Sequence, residues 1–181
     1  DEEVKIVFTS AGNPKTYTSF FQEKGITVVH VVPGVKFALK AQAAGVDAVV
    51  AEGFEAGGHN GRDETTTFCL IPMVKKELDI PLIAAGGIGS GKGMLSAMTL
   101  GADGVQMGSR FVASEEASSH INFKNEVIKA KDGATHLTLK DVTPVRLMKN
   151  KFYHEIQTAI TNGATPDEQK KILGRGRAKQ G

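Results

Sequence analysis

The sequence predicts an α/β fold of the (β/α)8 TIM-barrel class, in which this chain supplies the carboxyl-terminal portion, strands four to eight. Five short apolar runs recur along the chain, and each is followed by a loop and most by a segment of helical periodicity. Such unbroken apolar runs are typical of parallel strands covered on both faces. The last two runs end in small-residue loops, and in these barrels the loops after strands seven and eight commonly share one phosphate. These two runs are therefore assigned as the last two barrel strands.

The individual elements follow from local patterns. The predicted strands are 4–10, 26–32, 47–53, 80–87 and 103–110. The predicted helices lie within 13–25, 36–45, 67–78 and 90–101, and most of these segments stop at a glycine, the usual residue after a helix. The repeat of roughly 20 to 30 residues is the size of a strand–helix unit.

The pattern changes after the fifth strand, so we expect a barrel part over 1–112 and a smaller appended, largely helical domain over 113–181. Within the second part, a polar loop and an amphipathic helix are predicted over 115–133, and a short strand over 135–141. A helix is predicted over 144–163, with one apolar face formed by Leu147, Phe152, Ile156 and Ile160. Thr165 before Pro166 predicts the start of a last helix.

Composition restricts the class of protein. The 181 residues are 40% hydrophobic and 23% charged with a net charge of +2, which predicts a soluble protein without broad attraction to nucleic acid or lipid. No apolar stretch approaches the roughly 18 residues that span a membrane. The single cysteine, Cys69, excludes an internal disulfide, suits a reducing cytoplasm and is expected to pack on an apolar helix face. A short basic tail over 174–179 is weak support for RNA contact.

Strands one to three of the predicted barrel have no counterpart in the sequence, which begins directly with a strand. Five barrel strands would leave two unpaired edges, and exposed edges invite pairing with another segment. We therefore expect the missing amino-terminal segment of the same barrel as a partner, without which this part should not fold alone. The sequence does not determine the oligomeric state, and a homodimer stays open.

Two loops combine small residues at predicted strand ends. Ala85, Gly86 and Gly87 end one strand, and Gly108 with Ser109 ends the next. Amides without side chains can approach an anion closely, so the two loops together predict a phosphate site. The alternative is that these glycines only make tight turns. The surrounding residues match neither a P-loop nor a dinucleotide fingerprint.

The loop over 55–62 reads EAGGHNGR and follows the third predicted strand. An imidazole titrates near neutral pH, and a strand-end loop is where barrel chemistry occurs, so His59 is the predicted catalytic residue. The alternative is a solvated loop histidine. His30 is interpreted as a hydrogen-bonded core residue, with a cofactor contact as the alternative. The threonine run before the next helix is interpreted as a helix cap, with a contact to substrate or a cation as the alternative. Three histidines are predicted at the surface: His120, His136 and His154. No pair of histidines has the spacing of metal ligands, so no catalytic metal is predicted.

Four segments carry a family resemblance: AEGFEAGGHNG, IPLIAAGGIGSGKG, GADGVQMGSRF and TPVRLMKNKF. They resemble the nitronate monooxygenase (2-nitropropane dioxygenase) family, which includes the flavin-dependent enoyl-ACP reductase II. The resemblance covers essentially the whole chain and implies an FMN-binding (β/α)8 barrel with a smaller inserted domain. The family's amino-terminal strands, which carry further FMN contacts, have no counterpart here.

The resemblance also implies site residues. It assigns the FMN phosphate to the two glycine loops, and the flavin ring and ribityl chain to the region after the third strand. His59 matches the family's catalytic histidine. The implied cofactor-binding residues are Glu52, Ala56, Gly57, Gly58, Ala85, Gly86, Gly87, Gly108 and Ser109.

Two activities are implied. In the first, a nitronate monooxygenase oxidises a small alkyl nitronate with O2, and His59 orients the nitronate or acts as a base. In the second, an enoyl-ACP reductase uses NAD(P)H as reductant, and His59 protonates the α-carbon of an enoyl thioester. The sequence slightly favours the first. A barrel that binds flavin or phosphate without turnover is the non-catalytic alternative.

Overall fold

A parallel sheet of five strands forms the centre of the protein, as described by a computed structural model over residues 3–174. The spatial order follows the chain: β1 (Ile6–Thr9), β2 (Thr27–Val32), β3 (Ala48–Glu52), β5 (Leu82–Ala85) and β6 (Gly104–Gln106). Each strand is short, and β1 to β3 are rich in β-branched residues, which suit a pleated, buried surface.

Helices follow the strands, and two of them begin at a side chain that accepts a hydrogen bond from an amide of the first turn. The Thr66 hydroxyl accepts a hydrogen bond from the Cys69 amide, and Ser90 accepts one from the Gly93 amide. The threonine cap predicted before the third helix is thus confirmed. A 3-10 turn (Pro14–Thr16) precedes the helices α1 (Thr18–Gln22), α2 (Val35–Ala43), α3 (Thr67–Glu77), α4 (Gly91–Thr99) and α5 (Ser109–Val112).

The main core lies between one face of the sheet and helices α2 to α4. Alternate strand residues such as Val28, Val49 and Leu82 are fully buried there against helix residues such as Ile71 and Val74. The other face of the sheet carries a smaller apolar cluster. Its buried members are Val29, Ala48, Val50 and Ala85.

The sheet does not close on itself within the described residues. β1 and β6 each pair with one neighbour, so they are the two edges. On β1, Ile6 and Phe8 are each 54% exposed, although both are large and apolar. The predicted α/β class with parallel strands is confirmed, and the identity of the strands that would complete a barrel stays a prediction.

A second, antiparallel sheet joins the loop after β3 to the later part of the chain. Its spatial order is β4 (Gly58–His59), β8 (Val145–Met148) and β7 (Thr135–Thr138), and β4 lies in the middle of the predicted histidine loop. Short helices surround this sheet. The elements are β4 (Gly58–His59), α6 (Ile121–Lys129), β7 (Thr135–Thr138), β8 (Val145–Met148), α7 (Lys151–Thr161) and α8 (Pro166–Leu173).

The prediction of a helix over 144–163 was wrong for its first part, because the structure has the strand β8 there. Backbone pairing with β7 on one side and β4 on the other keeps this segment extended. The Asn150 side chain then accepts a hydrogen bond from the Tyr153 amide and starts α7. The four residues of the predicted apolar face still share one core, because strand and helix pack on the same cluster.

The prediction that Cys69 packs in the core was also wrong, since Cys69 is exposed. The buried face of α3 is formed at helical spacing by Thr67, Leu70, Ile71 and Val74, and position 69 falls on the opposite side. His30 is 6% exposed, and its Nδ1 lies 2.7 Å from the Thr9 hydroxyl, which confirms the core interpretation. The three histidines predicted at the surface are exposed.

The predicted start of a last helix at Thr165 and Pro166 is confirmed, and Thr165 and Glu168 form a capping box there. No helix of the described part of the chain has the length and apolar character to cross a membrane. The basic tail, from Arg175 onward, lies outside the described residues.

Candidate active site

Three strands end side by side at the carboxyl edge of the parallel sheet. Glu52 of β3 is in register with Ala85 of β5, and Ala85 is in register with Gln106 of β6. Loops that the sequence separates by tens of residues therefore start next to one another. The structure brings the predicted site residues of all three loops to one edge.

Glycines at this edge fall into two groups. In the first, which we call the packed glycines (Gly53, Gly86 and Gly87), the space of a side chain is filled by the protein itself. A Cβ on Gly86 would lie 2.8 Å from both the Gly53 carbonyl oxygen and the Thr67 hydroxyl. Gly86 and Gly87 also have positive φ angles of 102° and 68°. Packing and backbone conformation therefore require these glycines, whatever else they do.

Thr67 and Glu55 fill that space and join two of the loops. The Glu55 carboxylate accepts hydrogen bonds from the Thr67 amide, at 2.9 and 3.1 Å, and lies at the start of α3, where the helix dipole favours an anion. The Thr67 hydroxyl lies 2.9 Å from Glu55 Oε2 and 2.9 Å from the Gly86 carbonyl oxygen. The loop after β3 and the loop after β5 are thus held together through the first residue of α3.

In the second group, which we call the open glycines (Gly57, Gly58 and Gly108), a Cβ would have no neighbour within 4 Å. Gly108 precedes α5, and both it and Ser109 are exposed. Among the described residues, the amides of Gly87, Gly108 and Ser109 donate to no backbone carbonyl. Donors and open space are therefore available together at this edge.

His59 lies on a two-residue strand instead of a free loop. Gly58 pairs with Arg146 and His59 with Val145, both antiparallel. The imidazole is exposed and makes no side-chain hydrogen bond within the described part of the chain. Its backbone is paired with β8, while its ring nitrogens have no hydrogen-bond partner among the described residues.

The neighbouring Asn60 has an unsatisfied buried atom. Its Nδ2 donates to the carbonyls of Ala56 and Gly58 at 2.9 and 3.0 Å, which fixes the orientation of the amide. Its Oδ1 is buried and accepts no hydrogen bond from the described residues. A buried acceptor of this kind is normally satisfied, so a donor is expected next to it.

Arg146 of β8 reaches back to the start of the same loop. Its Nε and Nη2 donate to the Phe54 carbonyl at 3.1 and 3.0 Å, and its guanidinium carbon lies 5.3 Å from the centre of the Phe54 ring. Its Nη1 donates to the Thr135 hydroxyl at 3.3 Å. The later part of the chain therefore holds the histidine loop from both ends.

Burial acts on one acidic group of the site. It raises the pKa of the Glu52 carboxyl above the ordinary 4.5, because desolvation disfavours the charged form. Outside the site, burial and then the positive charge of Lys40 lower the pKa of His30. Among the described residues, no group of three or more metal-ligating side chains could hold a metal ion.

A cleft of about 710 Å³ lies elsewhere, between α6 and the turn from β8 to α7, with Phe123, Lys131 and Lys149 among its lining. None of the sequence-predicted site residues lines it.

The sequence model of one family, nitronate monooxygenase, matches residues 1–180. This chain belongs to the nitronate monooxygenase family. A probable nitronate monooxygenase of Staphylococcus saprophyticus is 33% identical over 161 residues, which are 83% of this chain and 45% of that protein.

Two solved structures are also similar to this nitronate monooxygenase family member. FabK of Thermotoga maritima is 40% identical with a TM-score of 0.88, covering 98% of this chain and 56% of that chain. Nitroalkane oxidase of Streptomyces ansochromogenes is 27% identical with a TM-score of 0.77, covering 99% of this chain and 55% of that one. The chain spans about half the length of these relatives.

Sequence reasoning missed three residues that shape the site of this family member: Glu55, Thr67 and Arg146. Glu55 lies within the quoted histidine loop, but nothing local indicates that its carboxylate binds the start of α3. Arg146 is 92 positions from Phe54, and its only local signal is a charge within the apolar segment VRLM.

Proposed function

We propose that this chain forms the part of an FMN-dependent oxidoreductase that carries the proton-transfer residue, His59, and that the substrate is a small alkyl nitronate oxidised with O2. One observation carries the proposal. An exposed imidazole on a fixed backbone lies in the loop after β3, beside open glycines and at the same sheet edge as a set of unused amides.

The residues present fit FMN. The loops after β5 and β6 begin in register, and the amides of Gly87, Gly108 and Ser109 are available to a phosphate. The open glycines Gly57 and Gly58 allow a flat ring to approach the backbone. The buried Asn60 Oδ1 requires a donor, which the hydroxyl and imide groups of a flavin could supply.

The assigned contacts of Gly86 and Glu52 are also compatible with this cofactor. Gly86 is required by packing, yet the amide of the adjacent Gly87 donates to no backbone carbonyl of the described residues. Glu52 is half-buried at the end of β3, and burial that raises its pKa makes a neutral, hydrogen-bonding carboxyl easier to reach. Ala56 is half-buried in the histidine loop, whereas Ala85 is 2% exposed, so its part would be to position the turn at Gly86 and Gly87.

FMN, when bound, would supply the redox chemistry between the substrate and O2. The protein's part is to bind the nitronate anion and to exclude unproductive orientations of it. His59 donates a hydrogen bond to a nitronate oxygen, or takes a proton from the substrate, through a ring nitrogen that no described residue occupies.

Enoyl thioester reduction is the second candidate, and the likeness to FabK favours it. That structure is more similar to this chain than nitroalkane oxidase in both identity and TM-score. In this reaction NAD(P)H is the reductant, and His59 donates a proton to the α-carbon of the thioester.

Purified full-length protein containing this chain tests the proposal. We expect a bound flavin absorbance band, O2 consumption with propyl-2-nitronate, and little bleaching when NADPH is added without oxygen. Rapid bleaching with turnover of a crotonyl thioester would instead establish the second candidate.

The variant His59→Ala tests the role of the histidine. We expect it to retain the flavin and to lose about a hundredfold or more in kcat, a common cost of removing a general acid or base. Unchanged turnover of both substrates would contradict a proton-transfer role. A protein with flavin and no turnover of either substrate would leave the non-catalytic alternative.

A further inference from the structure

The loop that carries His59 is attached at both ends to a segment far away in the sequence. At its far end, Gly58 and His59 pair with β8, and the Asn60 amide donates to the Pro144 carbonyl at 2.9 Å. At its near end, the Arg146 guanidinium binds Phe54. The backbone of Arg146 is the partner of Gly58, so one residue contacts both ends of the loop.

The contact with Phe54 has a specific geometry. Two guanidinium nitrogens, Nε and Nη2, converge on one carbonyl oxygen at 3.1 and 3.0 Å, while the plane lies near the Phe54 ring. The third nitrogen, Nη1, is bound by the Thr135 hydroxyl of β7. A planar, rigid fork can make these contacts together, whereas a lysine ammonium has a single point of charge.

Within residues 3–174, no carboxylate forms an ion pair with this charge. The ion pairs of the described residues are three, and none includes Arg146. The half-buried guanidinium is instead satisfied by a carbonyl, a hydroxyl and an aromatic ring. Its contacts thus act on the position of the loop backbone and not on the protonation of an acid.

We propose that Arg146 is a positioning residue for His59, which holds the backbone from Phe54 to Gly58 so that the imidazole keeps its place over the site. This inference rests on the proposed function of His59. Because a displacement of about 1 Å at a reacting group can cost about a hundredfold in rate, loosening this loop should act mainly on kcat.

The test compares Arg146→Lys with Arg62→Lys in the full-length, flavin-loaded enzyme. Arg62 is a matched control, because its Nη2 donates to the Val142 carbonyl at 2.7 Å and so joins the same two parts of the chain. It follows His59, however, and has no hydrogen bond to the residues from Phe54 to Gly58. We measure kcat and KM with the substrate that the wild type turns over, and hydrogen exchange of the amides over 55–59.

For Arg146→Lys we expect kcat to fall about tenfold to a hundredfold with KM within about threefold, and exchange over 55–59 to accelerate. For Arg62→Lys we expect kcat and exchange over 55–59 close to wild type. Equal losses in both variants would mean that Arg146 only attaches the later segment, and would overturn the inference.

A milder variant covers the case in which Arg146→Lys does not fold. Thr135→Val at an exposed position removes only the hydroxyl that orients Nη1. A fall in kcat of about two- to threefold with faster exchange over 55–59 supports the inference, and wild-type values for both overturn it.

His59→Ala separates failure of the positioning role of Arg146 from failure of the proposed function. If it abolishes turnover while the Arg146 and Thr135 variants do not lower it, only the positioning role fails; if it leaves turnover intact, the proposed function fails.

Discussion

Two kinds of glycine turn lie at the same edge of the parallel sheet and differ in what surrounds them. Around the packed glycines, Thr67, Glu55 and neighbouring backbone occupy the place of a side chain. Around the open glycines nothing lies within 4 Å of that place. A glycine after a strand therefore occurs in two distinct surroundings: packing excludes a side chain at the packed kind, whereas the open kind leaves its backbone accessible to a group outside the described protein atoms.

The largest expected effect is on stability, from Gly86→Ala. The new Cβ would lie 2.8 Å from backbone and hydroxyl oxygens, at a φ of 102° that a side chain disfavours. We expect the free energy of unfolding to fall by about 2–4 kcal/mol, measured by urea denaturation of the full-length protein without flavin. Gly57→Ala is the control and should unfold at the wild-type urea concentration. Equal midpoints for both variants would remove the distinction between packed and open glycines.

Thr67→Val tests the polar side of the packed turn. Thr67 is 8% exposed, and valine keeps its shape while it removes the hydroxyl bound to Glu55 and the Gly86 carbonyl. We expect a loss of about 1–3 kcal/mol, because buried acceptors lose their donor. Thr67→Ser retains the hydroxyl and should recover most of it. If the serine and valine variants unfold alike, the hydrogen bonds contribute little.

Gly108→Ala tests the open turn. Since its Cβ would meet no neighbour, the free energy of unfolding should change by no more than about 0.5 kcal/mol. If a phosphate lies against this backbone, FMN affinity should fall about three- to tenfold, measured by quenching of flavin fluorescence. Ser96→Ala, on the exposed side of α4, is the control. An unchanged dissociation constant would argue that Gly108 makes no cofactor contact.

The smallest expected effect concerns Glu52, which lies between the two kinds of turn. Burial raises its pKa in the folded state, so the folded protein holds the proton more tightly than the unfolded chain. Its stabilising contribution is complete below the ordinary pKa of 4.5 and is lost as pH rises through the higher folded value. Glu52→Gln should therefore gain stability relative to wild type over this range and keep a constant, small advantage above it. Thermal unfolding of the flavin-free protein from pH 4 to 7 measures the difference, and a constant offset across that range would contradict it.

Short-range patterns predicted most of the elements correctly. The five parallel strands, the threonine cap of α3 and the start of α8 follow from residues within a few positions of one another. These patterns failed where the pairing partners of a segment are distant in the sequence. The segment VRLM has apolar residues at a spacing that also suits a helix, and its pairing with β7 and β4 decides that it is a strand.

At the candidate site, the sequence predicted His59, the glycine-rich loops and the strand ends that they follow, because strand ends and glycine-rich loops are local features; the roles of these residues stay predictions. Whether a glycine is packed or open depends on neighbours such as Thr67 and Glu55 in the folded protein. The sequence shows the same residue type, glycine, in both cases. The attachment of the histidine loop through Arg146 joins positions 92 apart. No periodicity or capping rule connects residues that are so far apart in the sequence. Contacts between them form only when the chain folds, so the tertiary structure alone decided them.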